Sequence, residues 1–275
     1  MRTQHNPLRE QAAPYEIKET VLLVVTHLPC EQEPGYHKDR MEVVQTCLTT
    51  MRERAGREHT FFVWDNGSNE TFRDWLRHIF EPDILVESHN IGKNQARAAA
   101  IGALPLDTIV AYSDDDIYFE ENWLAPQLDL LVTFPHVAAV SGMPIRTMMR
   151  WGNENTLKWA REHAKVKQGR FIPQEWEFDY ADSIGRSHED QIQITLKDTD
   201  YKIQYEGREA YAAAHHAQFI GYVVKVLPAM RASLYGAMPD EKPTDIMMDR
   251  TGLRLCTVKR LCRHIGNVLD ESFKQ

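Results

Sequence analysis

The segment Thr108-Ile109-Val110-Ala111-Tyr112 runs directly into Ser113-Asp114-Asp115-Asp116, so a short apolar run ends in three consecutive carboxylates. The apolar run predicts a buried strand, because it is short and rich in β-branched and aromatic side chains. Three adjacent carboxylates repel one another, and the cluster is costly unless a cation neutralises it. Oxygen ligands of this kind suit Mg²⁺ or Mn²⁺. A solvated acidic loop is the alternative for an isolated run, but the position after a buried strand favours a metal site.

Strand-like and helix-like segments alternate around this stretch. Strand-like runs occupy residues 21–25, 60–64, 84–86, 108–112 and 137–140, and helical spacing occupies residues 39–54, 71–80, 94–103 and 123–134. This order predicts an α/β fold with a mostly parallel, Rossmann-like central sheet and helices on both faces. Ligands of such sheets bind beyond the carboxyl ends of the strands. We therefore expect the turns after Val25, Trp64, Val86 and Tyr112 to converge on one site.

The second half of the chain is less regular. Residues 192–196 have helical character, 201–205 and 211–216 have extended character, and 143–186 permit no assignment. Residues 253–273 are predicted to form an amphipathic helix with a basic face from Lys259, Arg260 and Arg263. That face is expected to be solvated, with contact to an anionic membrane surface as the alternative.

Composition limits the classes of function. The 275 residues are 43% hydrophobic and 26% charged, which is ordinary for a globular protein. The formal net charge of −8 argues against a nucleic-acid partner, which needs a basic face. The four cysteines form no C-x-x-C pair, so reduced thiols are predicted. The polar first twenty residues and the absence of a long apolar run predict a cytoplasmic protein without a signal peptide or a spanning helix.

Two turns supply candidate residues for an anionic ligand. Asp65 and Asn66 follow a predicted strand, where a carboxylate can accept hydrogen bonds from a base or a ribose; the alternative is a simple Asx turn. Gly92 precedes a predicted helix whose N-terminus attracts phosphate, and Lys93 and Arg97 lie four residues apart on it. The alternative for these two cations is a solvated basic face.

Two later motifs supply a candidate base and further candidate metal ligands. Glu189-Asp190 opens a predicted helix, where a carboxylate is either an N-cap or a general base for a hydroxyl group. His215-His216 follows a small-residue run. One of these imidazoles is a candidate to complete a metal site, and a surface loop is the alternative.

The order of the motifs resembles that of the inverting GT-A glycosyltransferases of family 2, over roughly residues 20–220. The matching segments are Val24-Val25-Thr26-His27, Trp64-Asp65-Asn66-Gly67-Ser68, Asn90-Ile91-Gly92-Lys93-Asn94-Gln95-Ala96-Arg97, Asp114-Asp115-Asp116, Glu189-Asp190 and Tyr201-Lys202-Ile203. The resemblance implies the GT-A fold of nucleotide-diphospho-sugar transferases and a D-x-D motif at Asp114–Asp116. It also implies a cofactor, Mn²⁺ or Mg²⁺.

The resemblance assigns a role to each matching residue. It implies that Thr26, His27, Asp65 and Asn66 hold the nucleoside, that Lys93 and Arg97 contact the pyrophosphate, and that Asp114 and Asp115 also bind the donor. The implied metal ligands are Asp116, Asp114 and one of His215 and His216. Asp190, with Glu189 beside it, matches the catalytic base.

The implied reaction is transfer of a hexose-like sugar from a UDP-, GDP- or dTDP-sugar to a glycan, lipid-linked or protein acceptor, with inversion. The alternatives are a retaining GT-A enzyme, a sugar-phosphate nucleotidyltransferase and a non-catalytic domain that binds a glycan or a nucleotide. The sequence has no Gly-rich phosphate loop after the first strand, which argues against a nucleotidyltransferase. Its acidic motifs are intact, which argues against a non-catalytic domain.

The expected organisation follows from these segments. Residues 1–19 are predicted to be a flexible arm, and residues 20–220 the GT-A catalytic domain. Residues 20–120 of that domain form the nucleotide-sugar-binding half, and 121–220 the acceptor half. Residues 221–275 are expected to be a C-terminal helical extension. The expected location is cytoplasmic, with peripheral contact at the inner membrane face as the alternative.

Overall fold

The computed structural model of the chain describes residues 18–30, 39–235, 242–266, 269 and 273. The predicted arm at residues 1–19 therefore lies almost wholly outside the described residues.

The described residues form twelve strands and nine α-helices. The strands are β1 Thr20–Thr26, β2 Thr60–Asn66, β3 Ile84–Ser88, β4 Ile109–Ser113, β5 Ile117–Phe119, β6 Val137–Ser141, β7 Lys165–Gly169, β8 Asp200–Tyr205, β9 Arg208–Ala212, β10 Gln218–Tyr222, β11 Leu253–Thr257 and β12 Cys262–His264. The helices are α1 Arg40–Glu53, α2 Glu70–Trp75, α3 Lys93–Gly102, α4 Leu124–Thr133, α5 Glu154–His163, α6 Gln174–Ser183, α7 His188–Thr195, α8 Val223–Tyr235 and α9 Lys242–Thr251. A π-helical turn, Leu76–Phe80, continues α2, and Arg146–Arg150 forms a 3₁₀ turn.

Ten strands form one sheet in the order β3-β2-β1-β4-β10-β6-β11-β9-β8-β7. The first four in this order are mutually parallel, as the sequence predicts. β10 is inserted antiparallel between β4 and β6, and β11 pairs parallel with β6. β9, β8 and β7 extend the edge with antiparallel pairings. Seven of the ten strands thus run in one direction, which confirms a mostly parallel sheet.

Both faces of the sheet are covered. In β1, Leu22 and Val24 pack into a core that includes residues of α1, α2 and α4. Val21 and Leu23 point to the opposite face, into a core that includes residues of α3 and α8. A strand with two buried faces needs apolar residues at successive positions rather than alternate ones. The predicted placement of helices on both faces is therefore confirmed.

The predicted amphipathic helix over residues 253–273 is wrong. Residues 253–257 form the buried strand β11 inside the main sheet, and residues 262–264 form β12, which pairs antiparallel with β5. The region expected to be a helical extension, 221–275, contains α8 and α9 and then re-enters the sheet. The apolar positions of two short strands, separated by the turn that carries Lys259 and Arg260, imitate helical spacing.

Two buried ion pairs hold the second half of the chain. Asp200, at the start of β8, has no exposed surface and accepts a hydrogen bond of 2.8 Å from Arg146 Nε. The same carboxylate accepts backbone N–H groups of Phe171 and Ile172 at 2.6 and 2.7 Å. Arg254 in β11 is equally enclosed and pairs with Asp245 of α9 at 2.7 Å. These charges connect the irregular region 143–186 and α9 to the sheet.

Candidate functional site

The carboxyl ends of β1 to β4 meet at one edge of the sheet. The backbone N–H of His27, after β1, donates to Asp115 Oδ2 at 3.2 Å, and its ring Nδ1 lies 3.0 Å from the carbonyl oxygen of Asn66. The Asn66 amide, at the end of β2, donates to Asn90 Oδ1 at 3.1 Å. Gly67 makes this approach possible, because its φ is 88° and a Cβ atom there would lie 2.7 Å from Asn90 N. The predicted convergence of these turns is confirmed.

A cavity of about 410 Å³ opens at this edge. We call it the first cavity. Its wall includes His27, Arg40 at the start of α1, Asn66, Lys93 at the start of α3, and the acidic run 114–116. A negatively charged ligand in this cavity would meet both cations and carboxylates.

Two cations partly neutralise the first two carboxylates of the acidic run. Lys93 Nζ lies 2.8 Å from Asp114 Oδ2, and Asp114 Oδ1 accepts the Tyr112 hydroxyl at 2.7 Å. Asp115 accepts a short hydrogen bond from Arg40 Nη2. Asp115 is thus bound to both α1 and the turn after β1, and both oxygens of Asp114 are also engaged, by Lys93 and Tyr112.

The third carboxylate, Asp116, faces a histidine from the other end of the chain. His264 Nε2 lies 3.3 Å from Asp116 Oδ2. Strand pairing fixes this approach, because His264 of β12 is in register with Ile117 of β5 and Ile265 N donates to the Asp116 carbonyl at 2.8 Å. On its other side, His264 Nδ1 lies 2.8 Å from Ser183 Oγ.

The charges of this pair reinforce each other. Burial alone would raise the pKa of Asp116, but His264, Arg40 and Lys93 outweigh it and hold that pKa below its ordinary value. Burial would lower the pKa of His264, and the carboxylates of Asp116 and Asp114 raise it above its ordinary value. Both shifts favour the charged forms of the pair, a carboxylate and an imidazolium.

The pair also fits a divalent cation. Asp116 Oδ1 is buried and has no hydrogen-bond partner among the residues that the structure describes. Within the same residues, no group of three or more His, Cys, Asp or Glu side chains is placed to hold a metal ion. Mg²⁺ and similar ions commonly take one or two protein ligands and complete their coordination with phosphate and water. Asp116 and His264 would supply such a partial set.

A second cavity of about 270 Å³ lies on the far side of His264. Residues of α6 form much of its wall, including Trp176, Asp179, Tyr180 and Asp182, and His264 of β12 closes it. Asp116 lines the first cavity and His264 lines the second. The Asp116–His264 pair is therefore located between the two cavities.

Three of the predicted donor-binding residues lie beneath the first cavity rather than in its wall. Asp65 is fully buried and accepts hydrogen bonds from Arg73 Nε at 2.8 Å and Ser68 N at 3.2 Å. Thr26, also buried, donates to Asp65 at 3.4 Å. Arg97 has no exposed surface, and its guanidinium carbon lies 5.3 Å from the centre of the Tyr112 ring. All three side chains are thus engaged inside the protein and are not among the residues that line the first cavity.

The predicted base is exposed at the start of α7. Asp190 Oδ2 accepts a hydrogen bond of 2.8 Å from Ser187 Oγ, and the backbone N–H of Asp190 donates to Ser187 Oγ at 3.1 Å. Ser187 is therefore the N-cap of α7, and Asp190 contacts the cap from the first turn of the helix instead of being the N-cap itself. Neither Asp190 nor Glu189 is among the residues that line the two cavities. His188, at the first position of α7, reaches the second cavity through a 2.8 Å contact with Asp182.

The predicted histidines lie near the acidic run. Asp114 N donates to the carbonyl of Ala217 at 2.7 Å, which brings the turn after His215-His216 to the end of β4. His216 Nδ1 lies 3.2 Å from Asp245 Oδ2, and His215 Nδ1 accepts Ala217 N at 3.0 Å. The imidazole in contact with Asp116 is His264.

Sequence reasoning missed two residues of the site, His264 and Arg40. His264 lies in the segment whose spacing predicts a helix, and the pairing of β12 with β5 brings it to Asp116. Arg40 stands in no motif of the sequence and lies at the start of α1. Its value to the site depends on Asp115, which no sequence pattern connects to it.

The topology and the acidic run after β4 define the GT-A class of nucleotide-sugar transferase folds. The model of glycosyl transferase family 2 matches residues 36–189, more than half of the chain, and the chain belongs to this family. A search of curated proteins found no significant match. No helix in the described part of the chain is long and apolar enough to cross a membrane.

Solved structures align with this chain at low sequence identity. GalNAc-T7 with UDP, GalNAc and Mn²⁺ aligns with a TM-score of 0.51 and 12% identity, over 91% of this chain and 44% of that one. Mannosyltransferase PcManGT from Pyrobaculum calidifontis, with GDP-Man and Mn²⁺, aligns with a TM-score of 0.49 and 14% identity, over 97% of this chain and 64% of that one. 4-Diphosphocytidyl-2C-methyl-D-erythritol synthase aligns with a TM-score of 0.47 and 11% identity, over 93% of this chain and 96% of that one. The chain thus spans less than two thirds of either glycosyltransferase.

Proposed function

We propose that this family 2 protein transfers a sugar from a nucleotide-diphospho-sugar to an acceptor hydroxyl with the help of Mn²⁺ or Mg²⁺. The observation that carries the proposal is the buried, unpartnered oxygen of Asp116 beside His264, between two cavities. One cavity would hold the donor, and the ion would meet its diphosphate at the boundary.

The first cavity suits a nucleotide-sugar. Lys93 and Arg40 supply positive charge for the diphosphate, which an acidic protein must provide locally. His27 and Asn66 offer polar groups to the base or the ribose. Asp65, Thr26 and Arg97 would then act from beneath, by fixing the turns that carry these groups. A UDP-, GDP- or dTDP-sugar satisfies this chemistry.

The proposed mechanism follows from where charge develops. When bound, a divalent cation stabilises the negative charge that forms on the leaving diphosphate. Asp116 and His264 would hold it, with Asp114 next to them and His215 or His216 as a second candidate imidazole. Lys93 adds a fixed positive charge on the same side.

The acceptor hydroxyl must lose a proton as it attacks. We retain Asp190 as the proposed base, on the family resemblance, and transfer by a single displacement would invert the anomeric centre. Asp182 is a second candidate because it lines the second cavity and is oriented by His188 at 2.8 Å.

Replacing Asp190 with asparagine is expected to lower sugar transfer by about 10²- to 10⁴-fold, the usual contribution of a general base. Donor binding, measured by calorimetry, should change little, because the side chain keeps its size. Asp182→Asn is the matched variant. If transfer falls in Asp182→Asn and stays at the wild-type rate in Asp190→Asn, the base is Asp182.

Replacing His264 with alanine is expected to weaken Mn²⁺ binding at least about tenfold in the presence of a nucleoside diphosphate. The reason is the loss of one of two protein ligands. His163→Ala is the control, because His163 is exposed on α5 and lines neither of the two cavities. Equal Mn²⁺ affinity of His264→Ala and the wild type, by calorimetry, would exclude His264 as a ligand.

A thermal-shift screen of UDP-, GDP- and dTDP-sugars with Mn²⁺ or Mg²⁺ tests the proposed function. A true donor raises the melting temperature by mass action, and nucleoside diphosphate should then accumulate. Stabilisation without release would indicate a non-catalytic binding domain. Retention of configuration in the product, measured by NMR, would indicate a retaining enzyme. Release of diphosphate from a nucleoside triphosphate would indicate a nucleotidyltransferase.

A further inference from the structure

We infer that the second cavity binds the acceptor, and that it does so as an uncharged sugar ring. The inference rests on the proposed function, because it takes the Asp116–His264 pair as the place where the donor reacts. The cavity shares His264 with that pair, and α6 is attached to His264 through Ser183 Oγ at 2.8 Å. A ligand in this cavity would lie next to the metal-binding residues, on the side opposite the donor.

The wall of the second cavity combines aromatic rings with carboxylates. Trp176 and Tyr180 project from one side of α6, and Asp179 and Asp182 lie beside them. A sugar ring has an apolar face of C–H groups and an edge of hydroxyl groups. Aromatic surface suits the face, and a few placed polar groups fix the orientation of the edge.

Tyr180 supplies a fixed hydrogen-bond donor. Its ring meets His264 and His215 edge-on, with centroid distances of 5.8 and 6.2 Å, so its position is held from two sides. Its phenol hydroxyl can both donate and accept a hydrogen bond. Such a donor suits the ring oxygen or a hydroxyl group of a sugar.

The charges of the cavity disfavour an anionic acceptor. Arg260 is paired with Asp179 and its guanidinium carbon lies 5.2 Å from the centre of the Trp176 ring. Arg263 is paired with Glu120 at 3.0 Å. Both arginines thus have carboxylate partners, and Asp182 lies 2.8 Å from His188. The charges of this wall are therefore paired with one another and do not sum to a positive surface for a phosphate-bearing headgroup, whereas neutral hydroxyl groups would find both donors and acceptors.

The size of the cavity limits the acceptor. Its volume of about 270 Å³ is just below the range of about 300–1,000 Å³ that is usual for drug-sized ligands. One sugar ring with its substituent fits such a volume better than an extended chain does. We therefore expect the terminal residue of a glycan, or a free monosaccharide unit, to enter it.

The test is a ligand-observed NMR titration with methyl glycosides of glucose, galactose, mannose and N-acetylglucosamine, with Mg²⁺ and a nucleoside diphosphate present. At least one glycoside should bind the wild type. Trp176→Ala should weaken its binding about tenfold through the loss of ring contact. Tyr180→Phe keeps the ring and should weaken binding about threefold to tenfold through the loss of one hydrogen bond. Trp151→Ala, at an exposed tryptophan that lines neither of the two cavities, is the control and should bind like the wild type.

The outcomes separate this inference from the proposed function. Release of nucleoside diphosphate from the donor into water, measured on the wild type without acceptor, tests the proposed function alone. If release occurs and no glycoside binds, or if both Trp176→Ala and Tyr180→Phe bind as tightly as the wild type, the second cavity is not a sugar site. If release fails with every donor, the proposed function is wrong, and the titration still decides whether the cavity binds a sugar.

Discussion

The Asp116→Ala variant is expected to release nucleoside diphosphate from the donor about 100- to 1,000-fold more slowly than the wild type. Asp116 is the carboxylate with the unpartnered buried oxygen, and its removal would leave His264 as the only member of the pair. The leaving diphosphate would then develop its charge without the cation that stabilises it. The rate is measured at saturating donor with Mn²⁺ present.

A matched control separates loss of the ion from loss of charge. Asp129→Ala removes a carboxylate from the exposed pair with Arg208, outside both cavities, and should leave the rate unchanged. Excess Mn²⁺ should not rescue Asp116→Ala, because the nearby carboxylate of Asp114 is engaged by Lys93 and Tyr112. A wild-type rate for Asp116→Ala would contradict the metal assignment.

Asp200→Ala is expected to lower the free energy of unfolding by about 3–5 kcal/mol, because it leaves the buried guanidinium of Arg146 without its counter-charge. Asp200 also accepts the backbone N–H groups of Phe171 and Ile172. These donors would be buried without partners, which adds to the cost. The measurement is denaturant unfolding followed by circular dichroism.

Asp129→Ala is again the control, because the Arg208–Asp129 pair has similar chemistry on the exposed surface. Exposed pairs contribute roughly 0–1 kcal/mol, and the expected change is within that range. Equal stability of the two variants would show that the Arg146–Asp200 pair is not structurally required. If Asp200→Ala is less stable but α6 stays helical, the substitution does not act through the wall of the second cavity.

The first half of the fold follows from local sequence. The runs that form β1, β2 and β4 are apolar at successive positions, and the helices between them have clear spacing. Short-range patterns of this kind report burial on one face or two. The parallel order and the convergence of the turns at Asn66, Asn90 and Asp114 follow from the same pattern, because ligand-side turns of parallel strands share one edge.

Neighbouring residues at a strand end point to opposite faces of the sheet, and only one of the two faces carries the site. Asp65 and Asn66 both follow the apolar part of β2, and successive side chains of a strand point to opposite faces. The sequence cannot say which face meets the ligand. The structure buries Asp65 against Arg73 and places Asn66 in the wall of the first cavity. Likewise, Arg97 is one helical turn below Lys93 and packs on Tyr112 instead of entering the cavity.

The other half of the site depends on contacts that are distant in sequence. His264 reaches Asp116 only because β12 pairs with β5, and a three-residue strand has too few positions to show a period. The second cavity combines α6 with β12 in the same way. Such pairings are set by the packing of the whole chain, so residue patterns within one segment do not reveal them.

The most direct measurement is X-ray diffraction at the manganese absorption edge from crystals grown with Mn²⁺ and a nucleoside diphosphate. We expect one anomalous peak within coordination distance of Asp116 Oδ1 and His264 Nε2, with phosphate oxygens completing the site. A peak held by His215 or His216 in place of His264 would correct the ligand set. A manganese ion bound away from Asp116, or none at all with the diphosphate in place, would contradict the central claim.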